Sequence, residues 1–363
     1  MIPFMLLLII PLTNLFIIVY NLFTAPRLSK NKFKLFASKV SILIPARNEE
    51  YNIENCLKHV ADQSYKNLEI IVLDDFSNDK TFSKAIKMSV NDERIKVIKG
   101  KKLPDGWMGK NWACMQLSRN SSGDYLIFVD ADVTLEKDAI ESTIFKMDNL
   151  KTDMLSVFPK QVMVTFGEKV TVAFLNWLLL SFLPLIKVYS SKRDFYTAAN
   201  GQFMLWKRKV YFETGGHESV KNKVVEDIEL SRLLKKNGYK IITLLGDDLV
   251  SCRMYRGFKE ALSGFIKNFF PASRITSLRF ISILFVLVFA YIFPLIYMFD
   301  NILYISIGGI ITLQVVLVSL LSRQNVLFNT LLFPLLLLVM FYIGLRSVYA
   351  VKSGNVFWKD RKL

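Results

Sequence analysis

Cysteine is scarce in this chain of 363 residues: three, at Cys56, Cys114 and Cys252, odd in number and far apart. That excludes a disulfide framework and offers no zinc-knuckle spacing. Acidic residues are also in deficit, 31 Asp plus Glu against 47 Lys plus Arg, for a formal charge of +16. A nucleic-acid binder carries such a charge but does not need 52% hydrophobic residues or a positive mean hydropathy of +0.32. The abundance of Phe and Ile excludes disorder. Charge is missing altogether from residues 1–25. A basic chain with long uncharged runs reads as a membrane protein with a large water-exposed part, and its length allows two domains.

Segment 1–25, at about 1.5 Å per residue, is long enough to cross a ~30 Å hydrocarbon core. Arg27, Lys30, Lys32, Lys34 and Lys39 follow it with no acid among them, the reverse of a signal peptide. The chain is therefore expected to keep this anchor, with its C-terminal flank in the cytoplasm. Three more apolar runs fill the region 280–351 (280–299, 302–321 and 326–351), and Pro294 and Pro334 are tolerable in membrane helices. Arg253, Arg256, Lys259, Lys267, Arg274 and Arg279 precede the first run, keep its near end cytoplasmic and suit anionic headgroups. Four crossings would put the tail 352–363 outside, against the preference of Lys352, Lys359, Arg361 and Lys362. Either that conflict stands, or one run lies in the interface or re-enters. A fifth stretch, 170–186, is short for a span and predicts an interfacial or buried helix.

Between residues 39 and 154 short apolar strands alternate with amphipathic segments. Strands are predicted at 40–44, 68–73, 95–98 and 125–129, and helices at 52–63, 81–90 and 110–121. This order predicts an α/β domain with a mostly parallel, Rossmann-like sheet. Ligands of such sheets bind beyond the carboxyl ends of the strands. There lie Pro45, Arg47 and Glu49 after the first strand, Asp74-Asp75 after the second, and Asp130-Ala131-Asp132 after the fourth.

Two carboxylates separated by one residue at a strand end suit a divalent cation held against a diphosphate, although a solvated turn has the same sequence. Ser77, Asn78 or Asp79 suffices to cap the next helix, which leaves Asp75 for a ligand. In Asp105-Gly106-Trp107-Met108-Gly109-Lys110-Asn111-Trp112, Gly109 lets a backbone approach a phosphate and Lys110 neutralises one; a surface turn with packed aromatics reads equally well. Glu226-Asp227 opens a helix-like run, where acids also complement the dipole. An Asp ionised at neutral pH accepts a proton. Arg253 to Arg256 begin a basic amphipathic stretch, either a membrane-surface helix or a clamp for a leaving diphosphate.

The order of these motifs resembles glycosyltransferase family 2. The resemblance rests on Val40-Ser41-Ile42-Leu43-Ile44-Pro45-Ala46-Arg47-Asn48-Glu49-Glu50, Asp74-Asp75, Asp130-Ala131-Asp132 and Glu226-Asp227, and covers residues 38–268. Gly106-Trp107-Met108-Gly109-Lys110, Thr214-Gly215-Gly216-His217, Arg253-Met254-Tyr255 and the tail Gly354–Arg361, with Asp360 in place of a glycine, are similar to a membrane-anchored subgroup, the diaponeurosporenoate (carotenoid) and hopanoid-associated glycosyltransferases. The resemblance implies a cytoplasmic GT-A domain between N- and C-terminal transmembrane helices in a multi-pass cell-membrane protein. It implies that Pro45, Arg47, Glu49, Asp75, Lys110, Asp130, Arg253 and Arg256 face a nucleotide sugar, a UDP-sugar. It assigns Asp132 to Mg²⁺ or Mn²⁺, Asp227 to base catalysis of an inverting transfer, and Gly201, Gln202 and Glu226 to the acceptor side. The implied acceptor is a carotenoid or other isoprenoid lipid, with no role for nucleic acid. Processive synthases of the family carry Gln-x-x-Arg-Trp after the base. Here Arg253-Met254-Tyr255-Arg256-Gly257 lacks the Trp, which favours a single transfer over polymer synthesis. A non-catalytic transport or scaffold role is opposed by the retained Asp130, Asp132 and Asp227.

Overall fold

The computed structural model describes residues 2–30, 38–358 and 361–362; Lys32 and Lys34 of the basic flank, and Lys359 and Asp360 of the tail, lie outside the described residues. The chain forms two compact units. One comprises residues 26–160 and 188–254, the other residues 1–25, 161–187 and 255–363.

The first unit is α/β. Its strands are β1 (Val40–Ala46), β2 (Leu68–Asp74), β3 (Ile95–Lys99), β4 (Tyr125–Val129), β5 (Val133–Leu135), β6 (Met154–Phe158), the two-residue β7 (Lys160–Gln161) where the chain leaves the unit, β8 (Phe203–Lys207), β9 (Ile241–Leu245) and β10 (Val250–Cys252). Seven of them form one sheet in the order β3-β2-β1-β4-β8-β6-β9. β1, β2, β3 and β4 are mutually parallel, as the β-α alternation predicts, and β6 and β9 pair in parallel. β8 runs antiparallel to both of its neighbours, so the sheet is mixed. Central strands read as continuous apolar runs because helices cover both faces: Val40, Ile42, Leu43 and Ile44 of β1 are all buried. β3, at the edge, turns Lys96 and Lys99 outward, which blunts an open edge. The helix Ile53–Ala61 packs Ile53, Cys56, Leu57 and Val60 on one face at helical spacing.

Register levels the strand ends that matter. Ala46 of β1 lies beside Asp74 of β2. Val129 at the end of β4 lies beside Phe203 at the start of the reversed β8, which brings Gly201 and Gln202 next to Asp130. β10 pairs antiparallel with β5, setting Cys252 opposite Val133 and next to Asp132.

The second unit is helical: Ile2–Thr24, Phe166–Phe182, Phe258–Ser273, Ser277–Ile296, Ile302–Leu321 and Val326–Lys352. Segments Leu7–Thr24, Ser277–Ile296, Ile302–Leu321 and Val326–Lys352 are long and apolar enough to cross a membrane. The helices run through Pro11, Pro271, Pro294 and Pro334. A buried polar chain ties them. Asn14 Nδ2 donates to Tyr291 Oη (2.7 Å), that hydroxyl donates to Gln314 Oε1 (2.9 Å), and Gln314 Nε2 donates to the Pro11 carbonyl (2.6 Å). Such bonds join helices where lipid supplies no hydrophobic drive. Stretch 170–186 falls largely within the helix Phe166–Phe182, which buries Val170, Phe174, Trp177 and Leu180; Trp177 meets the Tyr291 and Phe333 rings edge-on.

Candidate active site

The loops that follow β1 and β2 interlock. Arg47 is buried, and its Nη1 donates to the carbonyls of Asp75 (2.7 Å) and Phe76 (3.1 Å). The Asp75 N–H donates to the Ala46 carbonyl at 2.8 Å. Asn48 and Phe76 hold φ of 51° and 54°, the left-handed region that non-glycine residues enter at a cost. The cost is met locally, because the Asn48 N–H donates to Ser77 Oγ (3.0 Å) and its Oδ1 accepts from the Asn78 N–H (2.9 Å). The Glu49 N–H donates to Thr81 Oγ1 (2.7 Å), and its carboxylate accepts from Asn52 Nδ2 (2.7 Å). Asp79 accepts from the Thr81 N–H (2.9 Å), so it does the capping and Asp75 does not. Pro45 lies within β1, one residue before its end.

Lys110, Asp130 and Glu226 form one ion cluster. The Lys110 ammonium, at the start of the helix Gly109–Arg119, lies 2.9 Å from Asp130 Oδ2 and 3.1 Å from Glu226 Oε1, and donates weakly to the Gly201 carbonyl at 3.4 Å. Burial works against its charge, but Asp130 and Glu226 overcome that and hold its pKa well above the ordinary value. Asp227, in the first turn of the helix Glu226–Lys236, accepts from the Gly201 N–H through Oδ2 (2.8 Å) and from the Ile228 N–H through Oδ1 (2.8 Å). Burial first, and the Glu226 charge second, raise the Asp227 carboxyl to about 6. Space at Gly201 is tight: a Cβ there would sit 3.0 Å from both Glu226 Oε1 and Lys110 Nζ and 3.5 Å from Asp227 Oδ2. Segment 191–200 is fixed in turn by Lys235, whose ammonium donates to the carbonyls of Ser191 (3.0 Å) and Tyr196 (2.5 Å).

Asp132 is short of positive charge. Burial, then Asp130 and Glu49, push its carboxyl up to about 8, and its Oδ1 is buried without a hydrogen-bond partner. Cys252 bonds the same carboxyl group, and its Sγ accepts from Gln202 Nε2 at 2.8 Å. An orphaned carboxylate oxygen beside two further acids fits a hard divalent cation. Among the described residues no group of three or more His, Cys, Asp or Glu side chains is set to hold a metal by itself. A divalent ion at Asp132 would therefore need oxygen ligands from outside the protein, such as phosphate or water.

Arg253 directly follows Cys252 and is half-buried. Arg256 belongs to the helical unit, where its N–H donates to Glu260 Oε2 (2.7 Å) just before the helix Phe258–Ser273. His217, with a pKa pushed down by burial to about 3, packs between the Phe128 and Tyr211 rings and bonds Tyr211 Oη through Nδ1 (2.8 Å). It is a neutral structural residue. Gly216 lets it sit there, since a Cβ would strike the Tyr211 ring at 2.3 Å. Sequence reasoning passed over Asn111 and gave Cys252 no role. Both carried a signal: Asn111 shares a helix face with Cys114 and Ser118, and Cys252 ends a strand-like run two residues after Val250.

Residues 41–212 match the Glycosyl transferase family 2 model. Two curated relatives are named 4,4'-diaponeurosporenoate glycosyltransferase. The protein of Staphylococcus haemolyticus is 28% identical over 232 residues, and that of Staphylococcus aureus 30% over 236. Each match covers 63% of this chain and 60% of the relative, so the chain aligns with about three fifths of their length. A mannosyltransferase from Pyrobaculum calidifontis, solved with GDP-mannose and Mn²⁺, superposes with a TM-score of 0.56 over 98% of this chain and 97% of its own, at 16% identity. At that identity the likeness speaks for the fold alone. Residues 41–212 are thus similar to family 2 glycosyltransferases, and the likeness to the Pyrobaculum structure together with the mixed sheet gives the α/β unit a GT-A-like fold.

Proposed function

We propose that the protein is a membrane-bound, inverting, metal-assisted glycosyltransferase. It moves one sugar from a UDP-sugar to an isoprenoid lipid acceptor of carotenoid type, with the α/β domain in the cytoplasm. The observation that carries this reading is the Gly201–Asp227 contact inside the Lys110–Asp130–Glu226 cluster. It fixes a carboxylate with a pKa of about 6 beside Lys110, whose ammonium bonds Asp130 at the end of β4.

Asp227 Oδ2 is held in place by the Gly201 N–H and takes the proton from the acceptor hydroxyl as that oxygen attacks the anomeric carbon. The nucleoside diphosphate leaves from the opposite face, so the configuration inverts. Asp132, with Asp130 beside it, would hold the divalent ion, which supplies Lewis-acid stabilisation of the charge on the departing diphosphate. Arg253 adds a guanidinium suited to bidentate phosphate contact. Arg47 keeps the Asp75–Phe76 backbone in shape for the nucleotide. Support for a lipid acceptor comes from the four apolar helices and from the names of the staphylococcal relatives.

Incubation of the purified protein with radiolabelled UDP-sugars and extracted lipids, followed by mass spectrometry, tests the reading. Labelled lipid with one added sugar is expected. A ladder of sugars would point to a processive synthase, and UDP-sugars left intact would overturn the proposal.

A further inference from the structure

Asn111 lies one residue beyond Lys110 and is 1% exposed. Its two Nδ2 hydrogens reach three backbone carbonyls, Val220 at 2.8 Å, Lys223 at 3.0 Å and, by a shared hydrogen, Lys221 at 3.3 Å. The Met108 N–H donates to the Lys221 carbonyl as well, at 2.7 Å. Its own Oδ1 is buried with no hydrogen-bond partner among the described residues, so the side chain acts through its donors alone. The segment that receives these bonds runs directly into Glu226-Asp227 at the start of the next helix. Segment 108–111 therefore grips the 220–226 chain twice: Asn111 and Met108 take its backbone, and Lys110 takes the Glu226 carboxylate.

We infer that Asn111 is a positioning residue for Asp227, setting the height at which the 220–225 segment delivers that carboxylate to the Gly201 N–H. Three carbonyls converging on one buried amide leave the segment no second seating, because each loses its donor if the chain shifts. Serial placement matters too. Among the described residues the hydrogen bonds to Asp227 come from backbone N–H groups, Gly201 on one oxygen and Ile228 on the other, so its position follows that of the helix start. Asn111 touches neither the reacting atoms nor the acids. It acts through the backbone between Val220 and Glu226.

The inference rests on Asp227 as the base, and its test has one arm that does not. In the full-length detergent-solubilised protein, Asn111→Ala is expected to speed hydrogen exchange of amides 220–228 by about tenfold, the loss of buried hydrogen bonds, while peptides of β1 and β4 stay protected. Turnover of a UDP-sugar is expected to fall about 100-fold through kcat, with UDP affinity within about threefold of the wild type. The acid limb of the kcat profile should move, because Glu226 and Lys110, the charges that act on Asp227, no longer face it at fixed distances; Asp130 and His217 act on those two groups rather than on Asp227 itself. A purely structural role would lower the folded fraction and leave that limb in place. Asn111→Ser keeps one donor and is expected to fall between the two; it decides the matter if the Ala variant does not fold. Unchanged exchange over 220–228, or a kcat and limb like the wild type's, overturns the inference. If the wild type itself transfers no sugar, the function reading fails, and the exchange result alone decides whether Asn111 holds the segment.

Discussion

Replacing Lys110 by Met removes the only cation that bonds both Asp130 and Glu226 among the described contacts. At 2.9 and 3.1 Å and an effective dielectric of about 20, each attraction is worth roughly 5 kcal/mol before desolvation. Losing one partner of a buried ion pair costs about 3–5 kcal/mol net, since the other charge is stranded. Side-chain exposures of 24% for Lys110 and 25% for Asp130 place this case at the lower end, about 3 kcal/mol. For an α/β unit of about 200 residues that lowers Tm by roughly 6–12 °C. The pH dependence has a definite sign. Burial opposes the ionisation of Glu226, but Lys110 outweighs it and holds the group below its usual 4.5. Its contribution is therefore present above about pH 4.5 and lost as the pH falls through the lowered folded value. Without Lys110 the buried Glu226 titrates above 4.5, and the variant regains stability as the pH is lowered. The Tm gap between wild type and Lys110→Met, followed by intrinsic fluorescence, should be wide at pH 8, narrow as the pH falls towards 4.5, and narrow further below it as the wild type loses the Glu226 contribution. A gap that is absent, or the same at every pH, refutes the account of the cluster.

Three further outcomes are expected. With a hydroxyl acceptor, Asp227→Asn should cut transfer by about 10²–10⁴-fold while UDP binding by calorimetry persists, and the wild-type rate should fall tenfold per pH unit below about 6, where Asp227 protonates; a carboxylate acceptor, already ionised, would be spared both effects. Asp132→Ala should abolish the dependence of UDP binding on added Mn²⁺, and full activity of the wild type in excess EDTA would contradict the metal assignment. Gly201→Ala puts a methyl 3.0 Å from the Lys110 and Glu226 head groups and should lower kcat about 100-fold with little change in Tm; an unaltered kcat would show that the cluster can yield.

Much of this was legible in the sequence because the decisive features are local. Uncharged runs, the β-α alternation and acids at strand ends are read within short windows. What escaped depends on distant pairing. Nothing near Phe203–Lys207 reveals that it inserts backwards between β4 and β6, yet this reversal brings Gly201 to Asp130 and Asp227. Lys110 reads as a phosphate ligand at a helix start; its carboxylate partners lie 20 and 116 positions away and give no local sign. Asn111 looks like a polar residue of a helix's first turn until the 220–223 carbonyls arrive around it. Single motifs were ambiguous in the same way: Asp79 bonds the first N–H of the next helix, Trp107 packs edge-on against Trp112, and the acids at 226–227 open a helix, so each has the structural role its sequence also allowed.

The central claim is that these acids and this base transfer one sugar to a lipid. Mass spectrometry of lipid extracts labelled with UDP-[¹⁴C]sugar, comparing wild type with Asp227→Asn, tests it most directly. The account predicts a lipid carrying a single hexose with the wild type and, for a hydroxyl acceptor, almost none with the variant. Equal labelling by both on a hydroxyl acceptor, or no labelled lipid from a folded wild type that binds UDP, would contradict it.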